Sequence, residues 1–182
     1  MPAKEEKTVS SKRLYEGRVI NLRVDTVTAP DGHESRREIV EHRGAVAMVA
    51  IDNEKNLLLV KQFRKPAEKI LLELPAGTLE KGEAPEETAI RELQEETGYK
   101  PGKVQRLGGF YSAPGFCTEF IYLYLTTDLK PARLEGEDTE EIELTRMPVE
   151  EAKKLVDAGT ICDAKSVAGI LLYLDYLKKQ AQ

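Results

Sequence analysis

The chain has 182 residues, 41% hydrophobic and 32% charged, enough to fold as one soluble domain with a small appendage and no covalent staple. Cys117 and Cys162 are too few and too isolated for a disulfide framework or a zinc site, which points to a reducing, intracellular setting. A formal net charge of −5 excludes gripping a nucleic-acid backbone or an anionic membrane by bulk electrostatics.

Met1 to Arg13 is polar and mixed in charge, without the apolar stretch of a secretory signal. The runs Gly44 to Ile51 and Val167 to Leu174 fall far short of the roughly 20 apolar residues that span a bilayer. A cytoplasmic protein is expected. From Tyr15 to about His42 the chain reads as short strands around the turn Ala29-Pro30-Asp31-Gly32, a small antiparallel sheet. Gly44 to Ile51 and Leu57 to Phe63 are β-rich runs split by a polar turn, and Leu71 to Leu74 is a further short strand. Pro85 at a first turn, Glu86 and Glu87 beside it and Gly98 at the stop predict a helix over 85–97. A strand over Phe120 to Thr126, an amphipathic helix from Pro148 or Val149 to Ala158, and a terminal helix over Ser166 to Lys179 follow. Strands and helices without regular alternation imply an α+β domain or a layered α/β/α sandwich.

The acid is concentrated in two islands. Eight glutamates between Glu73 and Glu96 meet only Lys81 and Arg91, and Glu135, Glu137, Asp138, Glu140, Glu141 and Glu143 have no base among them. On the helix, Glu92, Glu95 and Glu96 are spaced three and four residues apart and share a face, where like charges repel by a few tenths of a kcal/mol per pair. Glu95 and Glu96 also lie at the negative end of the helix dipole. A hard divalent cation reverses that balance, since Mg²⁺ and Mn²⁺ prefer oxygen ligands and are held by a few carboxylates plus substrate phosphates. Acid-rich faces are most often only solvated, but here Gly77 precedes the helix in Pro75-Ala76-Gly77, where glycine permits a tight loop and close backbone approach.

Gly77, Glu83 and Arg91-Glu92-Leu93-Gln94-Glu95-Glu96-Thr97-Gly98-Tyr99, with their fixed gaps, resemble the Nudix box of the Nudix hydrolase family. Only the last aliphatic slot departs, holding Tyr99. The resemblance implies the Nudix fold, an α/β/α sandwich whose box helix offers carboxylates to a metal-bound diphosphate. Glu92 and Glu96 then match the main metal ligands, Glu95 a third ligand or an outer-sphere partner counted among the catalytic residues, and the Ala76 carbonyl a backbone ligand. Glu83 and Arg91 would hold the loop and orient the carboxylates, although Arg91 and Glu95 also form an ordinary helix ion pair.

Lys61-Gln62-Phe63-Arg64, Glu73-Leu74-Pro75-Ala76-Gly77 and Tyr111-Ser112-Ala113-Pro114-Gly115-Phe116 are similar to the ADP-ribose pyrophosphatase subfamily. Pro114, sixteen positions past Gly98, matches its marker proline and also reads as a turn before a glycine. The resemblance implies Mg²⁺-dependent hydrolysis of ADP-ribose to AMP and ribose 5-phosphate, with Mn²⁺ as a substitute metal. It further implies a homodimer that exchanges N-terminal strands, an N-terminal β-strand region over 1–42 for dimerisation and substrate contacts, and a hydrolase domain over 43–182. Arg37 and Glu38 match substrate-contacting positions, and Arg64 a phosphate-contacting arginine, a role suited to its planar fork. Neighbours on a strand point to opposite faces, so Arg37 and Glu38 share one site only if the strand bulges or ends there. Some relatives stack adenine on an aromatic residue where this chain has Arg18-Val19-Ile20, leaving Arg18 or an aliphatic surface for the base. Glu119 is a candidate for the distal ribose. Glu140 is the favoured general base, on what reads as a mobile loop, with Glu141 and Glu137 behind it.

Two other readings stay open. One keeps the chemistry on another nucleoside diphosphate derivative, such as a nucleotide sugar, or on a damaged nucleoside triphosphate. The other is a nucleotide-sensing module that binds without cleaving, against which the full set of box glutamates stands. RNA is disfavoured by the lack of a basic, aromatic-rich surface.

Overall fold

The structure is a computed structural model that describes residues 5–136 and 142–181. Its chain divides into two compact units, one reaching to Gly44 and including Tyr111–Phe120, the other formed by Ala45–Phe110 and Ile121–Gln182.

In the first unit, β1 (Lys7–Glu16), β2 (Ile20–Thr28) and β3 (Glu34–His42) form an antiparallel sheet in that order. The expected turn joins β2 to β3, with the Gly32 N–H on the Ala29 carbonyl at 2.9 Å and the Ala29 N–H on the His33 carbonyl at 2.9 Å. Pairing of β2 with β3 runs without a break from Ile20↔His42 to Thr28↔Glu34. β1 lies where the sequence read only a polar segment as far as Arg13. It is exposed along its whole length, and its few apolar residues, Val9, Leu14 and Tyr15, do not make the period-2 alternation that marks a half-buried strand. The 111–120 segment joins the same unit through Val40, whose N–H donates to the Phe116 carbonyl at 2.8 Å and whose carbonyl accepts from the Thr118 N–H at 2.9 Å.

The second unit is a mixed sheet between helices. β4 (Ala45–Ile51) lies beside β5 (Asn56–Arg64) and, in parallel, β10 (Phe120–Thr127), with β9 (Lys103–Tyr111) beyond β10 and β12 (Glu143–Pro148) beyond β5. β6 (Lys69–Glu73) pairs with β5, β7 (Ala76–Thr78) pairs with β4, and β8 (Tyr99–Lys100) pairs with β11 (Lys130–Pro131). The alternation of β4 explains the layers. Ala47, Val49 and Ile51 pack with Leu123, Ala152, Ile161 and Ile170 on the side of α2 (Val149–Asp157) and α3 (Ala164–Gln180). Val46, Met48 and Ala50 pack on the other side with Ala89 and Leu93 of α1 (Pro85–Thr97). With both faces covered, β4 reads as one continuous apolar run. The unit is the expected α/β/α sandwich. Among the described residues, no helix is long and apolar enough to cross a membrane.

α1 has the limits its punctuation predicts. Pro85 opens it, the Glu87 carboxylate accepts from the Ala84 N–H at 3.1 Å, and Gly98 closes it at φ 79° with its N–H on the Gln94 carbonyl at 3.0 Å. A correction falls on the second acidic island. Glu143 and Leu144, read as part of a mobile loop, begin β12 and pair with Lys61 and Val60 of β5, and the Lys61 ammonium donates to Glu143 at 2.7 Å. Short runs of mixed polarity hide a strand whose partner lies some eighty residues away.

Candidate active site

Gly77 and the α1 carboxylates meet as close neighbours in the second unit. A side chain at Gly77 would put its Cβ 1.8 Å from Cδ and 2.2 Å from Oε1 of Glu92. Gly77 sits on the short strand β7 rather than in a free loop, and what requires glycine there is the seat of the Glu92 carboxylate. Arg91 organises the rest. Its Nε and Nη2 donate to the two oxygens of Glu83, each at 3.0 Å, as a fork on a carboxylate. Its Nη1 reaches Glu92 at 2.8 Å and Glu95 at 3.2 Å. One guanidinium thereby ties the preceding loop to two helix glutamates and cancels much of the repulsion between them. Arg91, with the Thr88 hydroxyl, holds the Glu83 carboxyl below its usual range.

Glu96 is nearly buried and accepts the Ala76 N–H at 3.0 Å. Burial pushes its carboxyl up to about 8, against the hydrogen bond from Ala76 and the charges of Arg64 and Lys165, which favour the ionised form. Glu92 is also raised, chiefly by burial, with Arg91 opposing. These are acids whose charged forms lack compensation, a condition that a divalent cation relieves. Among the described residues no three acidic, histidine or cysteine side chains already converge as a metal group, and Glu92 and Glu95 are both held by Arg91. The donor set of Glu92, Glu95 and Glu96 is all oxygen and fits a hard cation in its chemistry, with Glu92 seated in the space that a Cβ at Gly77 would fill. Ala76, whose carbonyl was expected as a ligand, donates its N–H to Glu96.

Arg64 lies at the end of β5 and binds Glu73 through Nε at 3.1 Å and Nη2 at 2.6 Å. Glu73 also accepts from the Lys165 ammonium at 2.6 Å. Sequence reading quoted Glu73 without a role and passed over Lys165 and Asp163. The available signal was Lys165 itself, a cation in the first turn of a helix, where the dipole disfavours it. Gly136 was also passed over, although a Cβ there would come within 2.9 Å of Cβ and Oε2 of Glu95.

In the first unit, unbroken β2–β3 pairing places Arg37 and Glu38 on opposite faces of β3. Arg37 donates through Nε to Glu6 at 3.0 Å and through Nη1 to the Ser35 hydroxyl at 2.8 Å, while Glu38 is exposed. Pro114 occupies the expected turn, closed by the Phe116 N–H on the Ala113 carbonyl at 3.1 Å. Glu119 stands 3.5 Å from Nδ1 of His42. Arg18, Val19 and Ile20 line a cavity of about 330 Å³ with Glu41, His42 and Arg43, and Arg43 donates to the Arg18 carbonyl at 2.6 Å. Glu137, Glu140 and Glu141 lie outside the described residues.

Residues 41–168 match the NUDIX domain, and residues 6–40 match the nucleoside diphosphate sugar hydrolase N-terminal domain. The chain belongs to the NUDIX family. It is 44% identical over 172 residues to an ADP-ribose pyrophosphatase of Bacillus subtilis, covering 93% of each chain. It is 45% identical over 168 residues to a methanol dehydrogenase activator of Bacillus methanolicus, covering 91% of each. The solved structure of an ADP compounds hydrolase matches it with a TM-score of 0.88 over 99% of this chain and 98% of that one, at 23% identity, a likeness of fold.

Proposed function

We propose that this protein hydrolyses the diphosphate of ADP-ribose to AMP and ribose 5-phosphate, with Mg²⁺ as the working metal and Mn²⁺ as a substitute. The observation that carries this reading is the box helix. Its glutamates and Arg91 clamp stand in a chain 44% identical to an ADP-ribose pyrophosphatase over nearly all of both sequences. Glu92, Glu95, Glu96 and the Ala76 carbonyl would hold the metal, which when bound neutralises phosphate charge and lowers the pKa of a water. Water adds to a phosphorus, the bridging P–O bond breaks, and the leaving phosphate takes the electron pair while a base accepts the water proton. Glu140 is the proposed base, with Glu141 and Glu137 behind it, and an unchanged turnover in Glu140→Gln puts the base elsewhere. Arg64 takes a phosphate oxygen. In the first unit, Arg37, Glu38, Pro114 and Glu119 are the proposed substrate contacts, and the cavity beside Arg18 is a seat for the base.

We further place the protein in the cytoplasm as a homodimer that exchanges N-terminal strands, with residues 1–42 serving dimerisation and 43–182 the hydrolase chemistry. The exposed β1, with Val9, Leu14 and Tyr15 all open, supports the strand exchange. The test is a Mg²⁺-dependent hydrolysis panel of ADP-ribose, other ADP-sugars, NADH and nucleoside triphosphates, with products identified. A best rate on a triphosphate overturns the substrate. A second reading, carried by the 45% identity to the methanol dehydrogenase activator, is that the protein stimulates a dehydrogenase. An unchanged rate when it is added to a methanol dehydrogenase removes that role.

A further inference from the structure

Among the described residues of the second unit, Glu73 is the least exposed carboxylate, with its side chain 2% exposed. A carboxylate so placed needs full compensation, because leaving it with too few partners is strongly destabilising. It receives two cations. Arg64 approaches with its Nε–Nη2 edge, and Lys165 donates from the first turn of α3 at 2.6 Å. Lys165 also holds Asp163 at 2.9 Å, and Asp163 caps α3 by accepting the Ser166 N–H at 3.1 Å. The Ser166 hydroxyl in turn accepts the Leu74 N–H at 2.7 Å. Two adjacent links, Lys165 to Glu73 and Ser166 to Leu74, therefore fasten the start of α3 to the strand end that leads into Pro75-Ala76-Gly77.

The same stretch is pinned at each following residue. The Pro75 carbonyl accepts the Met48 N–H at 2.9 Å, and the Ala76 N–H donates to Glu96 at 3.0 Å. Arg64 spends one edge on Glu73, and its Nη1 has no hydrogen-bond partner among the described residues, with the side chain 37% exposed. The cluster of Arg64, Lys165, Glu73 and Asp163 is charge-balanced. Arg64 already reaches both Glu73 oxygens through Nε, at 3.2 and 3.1 Å. Without Lys165, Glu73 would keep a single cation and draw the Arg64 guanidinium closer, turning Nη1 away from its present direction.

We propose that Lys165 and Glu73 are positioning residues that hold the Arg64 guanidinium with Nη1 presented to the substrate diphosphate. The proposal rests on the reading of Arg64 as a phosphate contact. The test uses the full-length enzyme with Mg²⁺ and ADP-ribose, on variants first shown to be folded by circular dichroism. Lys165→Met is expected to raise KM about tenfold to a hundredfold, the cost of one charge-assisted hydrogen bond, while kcat stays within about threefold. Lys165→Arg restores most of the loss. In an Arg64→Met background the same lysine change moves KM by less than about twofold, because it acts through a group no longer there. A wild-type KM for Lys165→Met, or an undiminished effect in the Arg64→Met background, overturns the positioning role. A wild-type KM for Arg64→Met alone overturns the phosphate contact and the positioning role with it. Absence of ADP-ribose hydrolysis by the unmodified enzyme overturns the proposed function instead. If Lys165→Met does not fold, Glu73→Gln takes its place in the same cycle, with the same expected and refuting results.

Discussion

Replacing Gly77 with alanine separates activity from stability. The added Cβ would stand 1.8 Å from Cδ, 2.2 Å from Oε1 and 2.3 Å from Cγ of Glu92. Carbon atoms pack best at about 3.5–4.0 Å, so the Glu92 carboxylate must retreat by roughly 2 Å. The obstructing atoms belong to a flexible side chain, and the fold survives by letting it swing away. Overpacking costs about 1–3 kcal/mol, which lowers Tm by roughly 2–12 °C in a chain of this size. A misplacement of about 1 Å in a reacting group costs on the order of a hundredfold in rate. Gly77→Ala should therefore lose at least about a hundredfold in kcat/KM for ADP-ribose and require more Mg²⁺ for half-maximal rate. The control is Gly82→Ala, where φ is +86° but no atom lies within 4 Å of the new Cβ. It should lose about 1–2 kcal/mol of stability to backbone strain and keep its activity. A Gly77→Ala enzyme within about threefold of wild type would refute the close seat of Glu92 as a requirement of catalysis.

Three further outcomes follow from the same geometry. Glu96→Gln replaces a buried acid whose charged form burial disfavours with a neutral amide of the same shape, so the apoprotein should hold or gain thermal stability while activity falls by several orders of magnitude; wild-type turnover would remove Glu96 from the metal set. Gly136→Ala, whose Cβ would meet Cβ and Oε2 of Glu95 at 2.9 Å, should lower kcat about tenfold or more, and an unaltered kcat would show that the Glu95 position is immaterial. For Glu73, burial opposes ionisation, but Arg64 and Lys165 outweigh it and the folded carboxyl lies below its ordinary 4.5. Its contribution to stability is present above that value and is lost as pH falls below it. The Tm of wild type should drop on acidification below about pH 4.5, and the drop attributable to this group should flatten in Lys165→Met. An identical slope in both proteins would show that the lysine does not hold Glu73 ionised.

Much of α1 was legible because its signals are local. Pro85, the first-turn glutamates and Gly98 act within one turn of each helix end, and Glu92, Glu95 and Glu96 share a face by spacing alone. The central strands β4 and β5 announce themselves as apolar runs for the same reason, being covered on both faces. β1 and β12 did not. One is exposed along its whole length with no alternating apolar face, and the other is short and takes its pairing from β5.

By itself, the sequence determined the family motif, the limits of α1, and the residue types that suit a hard cation and a diphosphate. Those depend on neighbours a few positions apart, where chain geometry leaves little freedom. Only the tertiary structure decided how the charges are compensated. Arg91 closes on Glu83 eight residues away, and Lys165 reaches Glu73 across 92 positions. No local rule could have paired Lys165 with Glu73, because that contact exists only once α3 has packed its apolar face on the sheet and carried its first turn to the end of β6.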